Sequence, residues 1–184
     1  TAVSRSVRSN PATVSKAFEG IRKAFASTRE ARLLGLGPGA FSFNVAGGRC
    51  DACEGSGEVV IDMQFLDDVR VACDECNGTR YCGEILEVPY AGRSIAEVLS
   101  LSIDEAVEVF ADQARIVACL SPLIRVGLGY LALGQPLSTL SGGEHQRMRL
   151  ALALGEGAGR VLYVLDEPTT GLHPRDVDVL MNCL

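Results

Sequence analysis

The sequence predicts an α/β fold with an α+β insertion, and three observations carry that prediction. Residues 161–165 form a continuous apolar run, which is typical of a strand buried on both faces of a parallel sheet. Ahead of that run, apolar residues recur at helical spacing and follow helix-capping patterns. Nearer the start of the chain, two cysteine pairs enclose two strand patterns, which predicts a small β insertion held by a metal ion.

Composition and charge limit the classes of protein that this chain can represent. Its 184 residues are 47% hydrophobic and 22% charged, which favours a packed core over disorder. No apolar run is long enough to span a membrane and none resembles a secretion signal, so we expect a cytoplasmic protein without a membrane partner. The net charge of −6 argues against a chain that binds polyanions over its whole surface. Residues 1–32 nevertheless hold seven Lys/Arg against two Glu, so nucleic-acid contact is expected to begin there.

The N-terminal part is predicted to hold a loop, a helix and a short strand. Residues 1–13 are polar and read as a loop, and a helix is expected from Val14 onwards. The glycine-rich residues 35–39 are expected to end the helical region, and the alternation over residues 41–45 predicts a short strand. The apolar face of the helix consists of Phe18, Ile21 and Phe25.

The middle of the chain is predicted to change from strands to helices. Residues 59–65 and 69–71 read as a β-hairpin, and residues 85–88 as a further strand. Two capping boxes then mark helix starts, because each pairs a serine with a glutamate three residues later. These pairs are Ser94 with Glu97 and Ser102 with Glu105. Pro122 is expected to end the second of these helices or to begin a third.

The cysteine pairs carry a strong metal-binding signal. They form the pattern C-x2-C-x19-C-x2-C, in which two knuckles on a hairpin supply the four sulfurs of a structural zinc site. The four expected ligands are Cys50, Cys53, Cys73 and Cys76. Two unrelated dithiols or a redox pair remain the alternative. Cys82 is expected to be a spectator because four ligands already fill a tetrahedral site, and Cys119 and Cys183 are expected to be core or terminal residues.

The negative charge of the cysteine module argues against DNA binding over its whole surface. Residues 50–76 hold eight acidic residues and Arg70 as the one basic residue. We therefore expect a structural or protein-contact role for the module. In this hypothesis DNA is contacted by the flanking Arg49 or Arg80, or by the N-terminal helix.

Two further motifs in the last third of the chain point to a nucleotide. L-S-G-G-E-H-Q-R at residues 140–147 places two glycines at the start of a helix expected over residues 143–154, where an anion can approach backbone N–H groups. Alone, this motif is more often a helix cap. Asp166 and Glu167 follow the predicted buried strand, where Asp166 could hold Mg²⁺ and Glu167 could polarise a water molecule. Alone, they are an ordinary turn pair.

Taken together, these motifs resemble the ABC-type ATPases, and the cysteine pairs narrow the resemblance. R-S-N-P-A-T at residues 8–13, F-S-F-N-V-x-G-G-R-C-x-A-C at 41–53 and C-D-x-C-x-G-x-R-Y at 73–81 accompany T-L-S-G-G-E and L-D-E-P-T-T-G-L-H. The combination resembles the UvrA family, whose members sense DNA damage for the bacterial UvrABC excinuclease. The resemblance covers essentially the whole chain and corresponds to part of the C-terminal half of the family.

The resemblance implies a specific fold and domain order. It implies a partial ABC-type ATPase core plus a helical signature domain that carries a four-cysteine zinc hairpin module. Residues 1–48 would form the N-terminal part of the signature domain and residues 49–90 the zinc module. Residues 91–135 would form the helical signature subdomain and residues 136–184 the partial ATPase core.

The resemblance also implies site residues, cofactors and partners. Asp166 would be the Walker B carboxylate that holds Mg²⁺, and Glu167 the general base. Ser141 and the glycines after it would be the signature loop, which contacts the γ-phosphate of ATP held by the other nucleotide-binding half, and residues 171–173 would open the D-loop. The implied nucleotide-binding residues are Ser141, Gly142, Gly143, Glu144, Gln146 and Asp166. Structural Zn²⁺, ATP and Mg²⁺ are the implied cofactors. Damaged double-stranded DNA, UvrB and a second copy of the protein are the implied partners.

The sequence departs from the family pattern in several places. No G-x-x-x-x-G-K-[ST] occurs, so the P-loop, the Q-loop and the histidine switch are expected outside this chain, which alone should not hydrolyse ATP. His145 replaces the usual small residue of the signature, Cys82 replaces a polar one, and Val14-Ser15 replaces Tyr-Thr. These changes keep open a paralogue that confers resistance to DNA-binding drugs.

Three other functions compete with this interpretation. A transporter ATPase subunit would share the nucleotide motifs but has no reason to carry the four-cysteine module. A zinc-dependent chaperone of the DnaJ type would carry four C-x-x-C-x-G-x-G repeats, whereas this chain has one full and one partial copy. A zinc-bearing DNA-binding or protein-binding module without ATPase activity is the third.

Overall fold

A computed structural model describes residues 8–61, 63 and 69–155 of the chain. The predicted strand at 161–165, Asp166, Glu167, residues 171–173 and Cys183 lie outside the described residues. The chain divides into two compact units, one of residues 1–18 with 99–184 and one of residues 19–98. The helices are α1 (Pro11–Val14), α2 (Ala17–Ala26), α3 (Arg29–Leu33), α4 (Gly83–Leu86), α5 (Ile95–Ser100), α6 (Ile103–Val109), α7 (Ala114–Arg125) and α8 (Gly142–Gly155). The strands are β1 (Glu58–Ile61) and β2 (Val69–Ala72), and Leu137–Thr139 form a 3₁₀ turn.

The first described residues form a short helix where the sequence predicted a loop. Asn10 caps α1, because its side chain accepts the N–H of Thr13 at 3.0 Å and the Thr13 hydroxyl accepts the N–H of Asn10 at 3.0 Å. Pro11 occupies the first helical position, where its missing N–H costs nothing. The loop prediction was therefore wrong for residues 11–13, because the reciprocal cap and the proline after it begin a helix there.

An aromatic cluster forms the core of the unit 19–98. Phe41 and Phe43 are fully buried but lie in turns, so the strand predicted for residues 41–45 was wrong. Phe41 packs on Phe25 with ring centroids 5.4 Å apart, and Phe43 meets Tyr81 at 6.3 Å. The Tyr81 hydroxyl donates to the Phe41 carbonyl at 3.0 Å. The alternation in the sequence thus reflects two rings that enter one core from a turn.

The strand predicted for residues 85–88 was also wrong. This segment begins with the helical turn α4, and Ile85 and Val88 are both buried. A spacing of three residues places two side chains on one face of a helical turn, so a helix buries the pair as well as a strand would.

The β-hairpin between the cysteine pairs is confirmed in the described residues. β1 and β2 are antiparallel with Val59 opposite Val71 and Ile61 opposite Val69. These four side chains share one face, and each is 39–46% exposed. The other face carries an ion pair between Glu58 and Arg70 at 3.6 Å. The hairpin therefore presents an apolar face outside the aromatic core.

Helices α6, α7 and α8 build the unit that contains residues 99–155. The capping box of α6 is confirmed, because the Ser102 N–H donates to Glu105 at 2.8 Å and the Glu105 N–H to the Ser102 hydroxyl at 3.2 Å. The equivalent box of Ser94 and Glu97 caps α5. α8 matches the predicted helix to within one residue at each end. No helix among the described residues has the length and apolar character needed to cross a bilayer.

Pro122 neither ends nor begins a helix, contrary to the prediction. It lies inside α7, which continues to Arg125. The proline removes one backbone hydrogen bond, but Leu120 and Leu123 beside it are fully buried. Their packing keeps the helix continuous across the proline.

Candidate metal centre and glycine-rich loop

The four predicted cysteine ligands converge on one buried point. Their sulfurs all lie within 4.8 Å of one another. The Sγ atoms of Cys50 and Cys73 are 4.0 Å apart, and those of Cys53 and Cys76 are 3.7 Å apart. An ion bound tetrahedrally about 2.3 Å from each sulfur holds the sulfurs about 3.8 Å apart. The donor set and its spacing therefore fit Zn²⁺.

The two cysteine knuckles repeat the same backbone path 23 residues apart. In the first, Glu54 and Gly55 have φ values of 51° and 81°; in the second, Asn77 and Gly78 have values of 48° and 80°. The hydroxyls of Ser56 and Thr79 donate to the carbonyls of Cys53 and Cys76 at 2.8 and 2.7 Å. In each knuckle, the two residues that follow the C-x-x-C motif adopt left-handed backbone conformations. These conformations turn the chain back over the sulfurs.

Reciprocal hydrogen bonds join the two knuckles. The Cys50 N–H donates to the Arg80 carbonyl and the Cys73 N–H to the Gly57 carbonyl, each at 2.9 Å. Gly57 and Arg80 occupy equivalent positions, with φ values of 79° and 77°. The module is thus a pseudo-symmetric pair, which explains the full and partial repeats in the sequence.

The electrostatics of the sulfur cluster also favour a bound cation. Burial raises the pKa of Cys76 to about 12. Burial acts on Cys53 too, but N–H donation from Gly57 and Gly55 outweighs it and lowers the pKa of that thiol to about 7. Four thiolates this close would repel one another, and a divalent cation would allow all four to bind as thiolates.

Arg80 and Arg49 are engaged with the module itself. The Arg80 guanidinium lies 5.2 Å from the centre of the Phe43 ring, and Arg49 pairs with Glu54 at 3.8 Å. Both side chains are half-buried, whereas Arg29, Arg32 and Lys23 are exposed, although Lys23 pairs with Glu19 at 2.7 Å. These exposed basic side chains lie on α2 and α3.

The remaining described cysteines lie outside the metal centre. Cys82 is half-buried and precedes α4, and Cys119 is half-buried on α7. The cluster of candidate ligands in the described residues contains neither of them.

The pseudo-symmetry provides a matched test of the knuckle geometry. A Cβ on Gly55 would lie 1.8 Å from the Phe43 carbonyl oxygen, whereas a Cβ on Gly78 meets nothing nearer than 3.9 Å. Both positions have the same left-handed strain. We expect Gly55→Ala to lower the free energy of unfolding by about 3 kcal/mol and Gly78→Ala by about 1 kcal/mol. Equal losses in urea unfolding of the two variants would contradict the observed packing.

The glycine-rich loop of residues 141–143 is held by a capping box at the start of α8. The Ser141 N–H donates to Glu144 Oε2 at 2.7 Å, and the Glu144 N–H donates to the Ser141 hydroxyl at 3.3 Å. Ser141 and Gly142 are exposed, and a Cβ on Gly142 would meet none of the described atoms within 4 Å. Of the first-turn N–H groups, that of Glu144 is capped by Ser141, whereas those of Gly142 and Gly143 have no such cap among the described residues, so an anion can approach them.

The other predicted nucleotide residues divide into two groups. Gly143 and Gln146 lie half-buried in the first turns of α8. Asp166 and Glu167 lie outside the described residues. Tyr130, which the sequence reasoning missed, donates its hydroxyl to Glu144 Oε1 at 2.5 Å. No local sequence pattern predicts that contact, because the two residues are 14 positions apart in the chain.

Comparison with known proteins confirms the resemblance to UvrA. The chain is 52% identical over 183 residues to UvrABC system protein A of Listeria monocytogenes and 54% identical to that of Thermus thermophilus. Each match covers 99% of this chain and 19% of the relative. The crystal structure of UvrA2 from Deinococcus radiodurans matches with a TM-score of 0.93 at 50% identity, over 100% of this chain and 22% of that one. No protein-family model matches the chain.

Proposed function

Because this chain corresponds along its length to a segment of the UvrA proteins, we propose that it is part of a DNA-damage-recognising ABC-type ATPase of nucleotide excision repair. The observation that carries the proposal is identity of 52% across 99% of the chain. The chain spans about a fifth of the length of the curated relatives that it matches. The activity of the whole protein is therefore inferred from a segment.

The glycine-rich loop would supply the chain's part in ATP hydrolysis. Ser141, Gly142 and Gly143 would contact the γ-phosphate of ATP held by another nucleotide-binding half. The open N-terminus of α8 supports this role, because its exposed N–H groups and helix dipole favour negative charge. Asp166 would hold Mg²⁺, and Glu167 would orient or deprotonate the attacking water.

The four cysteines would hold a structural zinc ion. With four thiolates the coordination is complete, so the ion would fix the two knuckles rather than act on a substrate. The ion would also fix the base of the β1–β2 hairpin, since the hairpin joins the knuckles directly.

The exposed basic residues of α2 and α3 would contact the DNA backbone. Lys23, Arg29 and Arg32 are exposed, and the acidic hairpin module offers no comparable cluster among its described residues. We expect the double variant Arg29→Glu/Arg32→Glu to weaken duplex binding by the full-length protein about tenfold or more at moderate salt. The salt dependence of affinity should fall as well, because fewer counterions are released.

A matched double variant controls for net charge. Arg93→Glu/Arg115→Glu alters two exposed arginines by the same total charge elsewhere on the chain. Fluorescence anisotropy should give near-normal affinity for this control. Equal losses of duplex affinity in the two double variants would contradict the proposal that α2 and α3 contact the DNA.

A paralogue that protects against DNA-binding drugs is the second candidate. The departures from the family pattern, such as His145, support it. Deletion of the gene separates the two: loss of ultraviolet resistance supports general repair, and loss of drug resistance alone supports the paralogue.

A further inference from the structure

Tyr130 makes a contact that no motif accounts for. Its side chain is 58% exposed, yet its hydroxyl donates to Glu144 Oε1 at 2.5 Å. The second oxygen of the same carboxylate accepts the Ser141 N–H at 2.7 Å. One carboxylate therefore links Tyr130 to the first residue of the glycine-rich loop.

The backbone on each side of Tyr130 is fixed to α6. The carbonyl of Gly129 accepts the Asp104 N–H at 3.0 Å, and the carbonyl of Leu131 accepts the Ile103 N–H at 2.9 Å. Leu131 itself is buried. The Tyr130 ring thus extends from a backbone segment that hydrogen bonds fix to α6. Its hydroxyl can therefore fix the position of the Glu144 carboxylate.

Arg147 ties the same segment to α8. This buried side chain donates to the carbonyls of Val126 and Gly127 at 3.4 and 3.3 Å. It lies one turn after Glu144 on the same helix. The start of α8 and the loop that carries Tyr130 are therefore joined at two points, one buried and one at the surface.

We propose that Tyr130 is a positioning residue for the glycine-rich loop, holding the Glu144 carboxylate in the cap so that the Ser141 hydroxyl and the N–H groups of Gly142 and Gly143 can receive the γ-phosphate. This inference rests on the proposed function of that loop. A carboxylate released from the cap would lose the Tyr130 hydroxyl and the Ser141 N–H that share its charge, so it would repel an incoming phosphate more strongly. The Ser141 N–H would also lose its acceptor.

Removal of the hydroxyl tests the role with little structural cost. In the full-length protein, Tyr130→Phe should lower kcat for ATP hydrolysis about three- to tenfold, as expected for one hydrogen bond to a charged group. KM for ATP should stay within about twofold, since in the proposed function ATP is first bound by another half. Gln113→Ala, which removes a side-chain hydrogen bond at the surface of the same unit, should leave both constants unchanged.

A double-mutant cycle distinguishes positioning from a merely structural effect. In a Glu144→Ala background, Tyr130→Phe should change kcat by less than about twofold, because its partner is gone. An undiminished effect in that background would overturn the proposal, as would a normal kcat in Tyr130→Phe alone.

The cycle also separates this inference from the proposed function. If Ser141→Ala and Glu144→Ala leave ATP hydrolysis unchanged, the signature role of the loop is wrong, and the inference falls with it. If those variants lower kcat but Tyr130→Phe does not, the signature role stands and the positioning role of Tyr130 is wrong.

Discussion

Cys73→Ser is expected to remove zinc from the protein. The Cys73 sulfur is buried against the other three, and a hydroxyl binds zinc far more weakly than a thiolate. Structural zinc contributes about 10 kcal/mol or more to the folding of small modules, so the knuckles and the hairpin base should lose their fold. Zinc measured by plasma mass spectrometry should fall from about one equivalent to about a tenth or less.

Two other cysteines serve as controls for this result. Cys82→Ser and Cys119→Ser alter half-buried thiols outside the sulfur cluster. Both variants should keep their zinc and their far-ultraviolet circular dichroism. Full zinc occupancy in Cys73→Ser would show that the four sulfurs are not the ligand set.

Gly142→Asp is expected to abolish ATP hydrolysis by the full-length protein without harming the fold. A Cβ at this position meets none of the described atoms within 4 Å, and an acidic residue in the first turn of a helix is favoured by the helix dipole. The new carboxylate would occupy the place proposed for the γ-phosphate. We expect kcat to fall about a hundredfold or more, the usual cost of losing a charge-stabilising donor at a reacting group.

Gly142→Ala separates charge from bulk at the same position. This variant adds the Cβ without the carboxylate and should retain most of the activity. Thermal unfolding should show both variants at least as stable as the parent. Normal ATP turnover in Gly142→Asp would mean that no phosphate approaches this end of α8.

The features that the sequence predicted correctly depend on residues close together in the chain. Each C-x-x-C knuckle closes within a few residues, and the serine–glutamate caps act across one turn. Such local patterns hold in most tertiary surroundings. The hairpin was also predictable, because β-branched residues, which favour strands, fill residues 59–61 and flank Arg70 in the second strand.

The incorrect predictions depend on contacts between distant parts of the chain. Phe41 and Phe43 alternate like strand residues, but both lie in turns. Their rings pack there against Phe25 and Tyr81. Pro122 stays inside α7 because neighbouring leucines are buried against the core. In each case tertiary packing overrides the local preference.

The candidate site divides in the same way. The grouping of the four cysteines could be predicted from spacing alone, whereas the reciprocal hydrogen bonds that join the two knuckles through Gly57 and Arg80 depend on how the knuckles pack together. The hydrogen bond between the Tyr130 and Glu144 side chains crosses a loop, so no periodic pattern in the sequence predicts it.

Binding of the full-length protein to a lesion-bearing duplex tests the central claim most directly. Affinity for that duplex and for its undamaged counterpart would be measured by fluorescence anisotropy with and without ATP. We predict that the lesion-bearing duplex is preferred, that the preference depends on ATP, and that Gly142→Asp removes this dependence. Equal affinity for the two duplexes, unchanged by ATP, would contradict a damage-recognising ATPase and leave a zinc-bearing binding module.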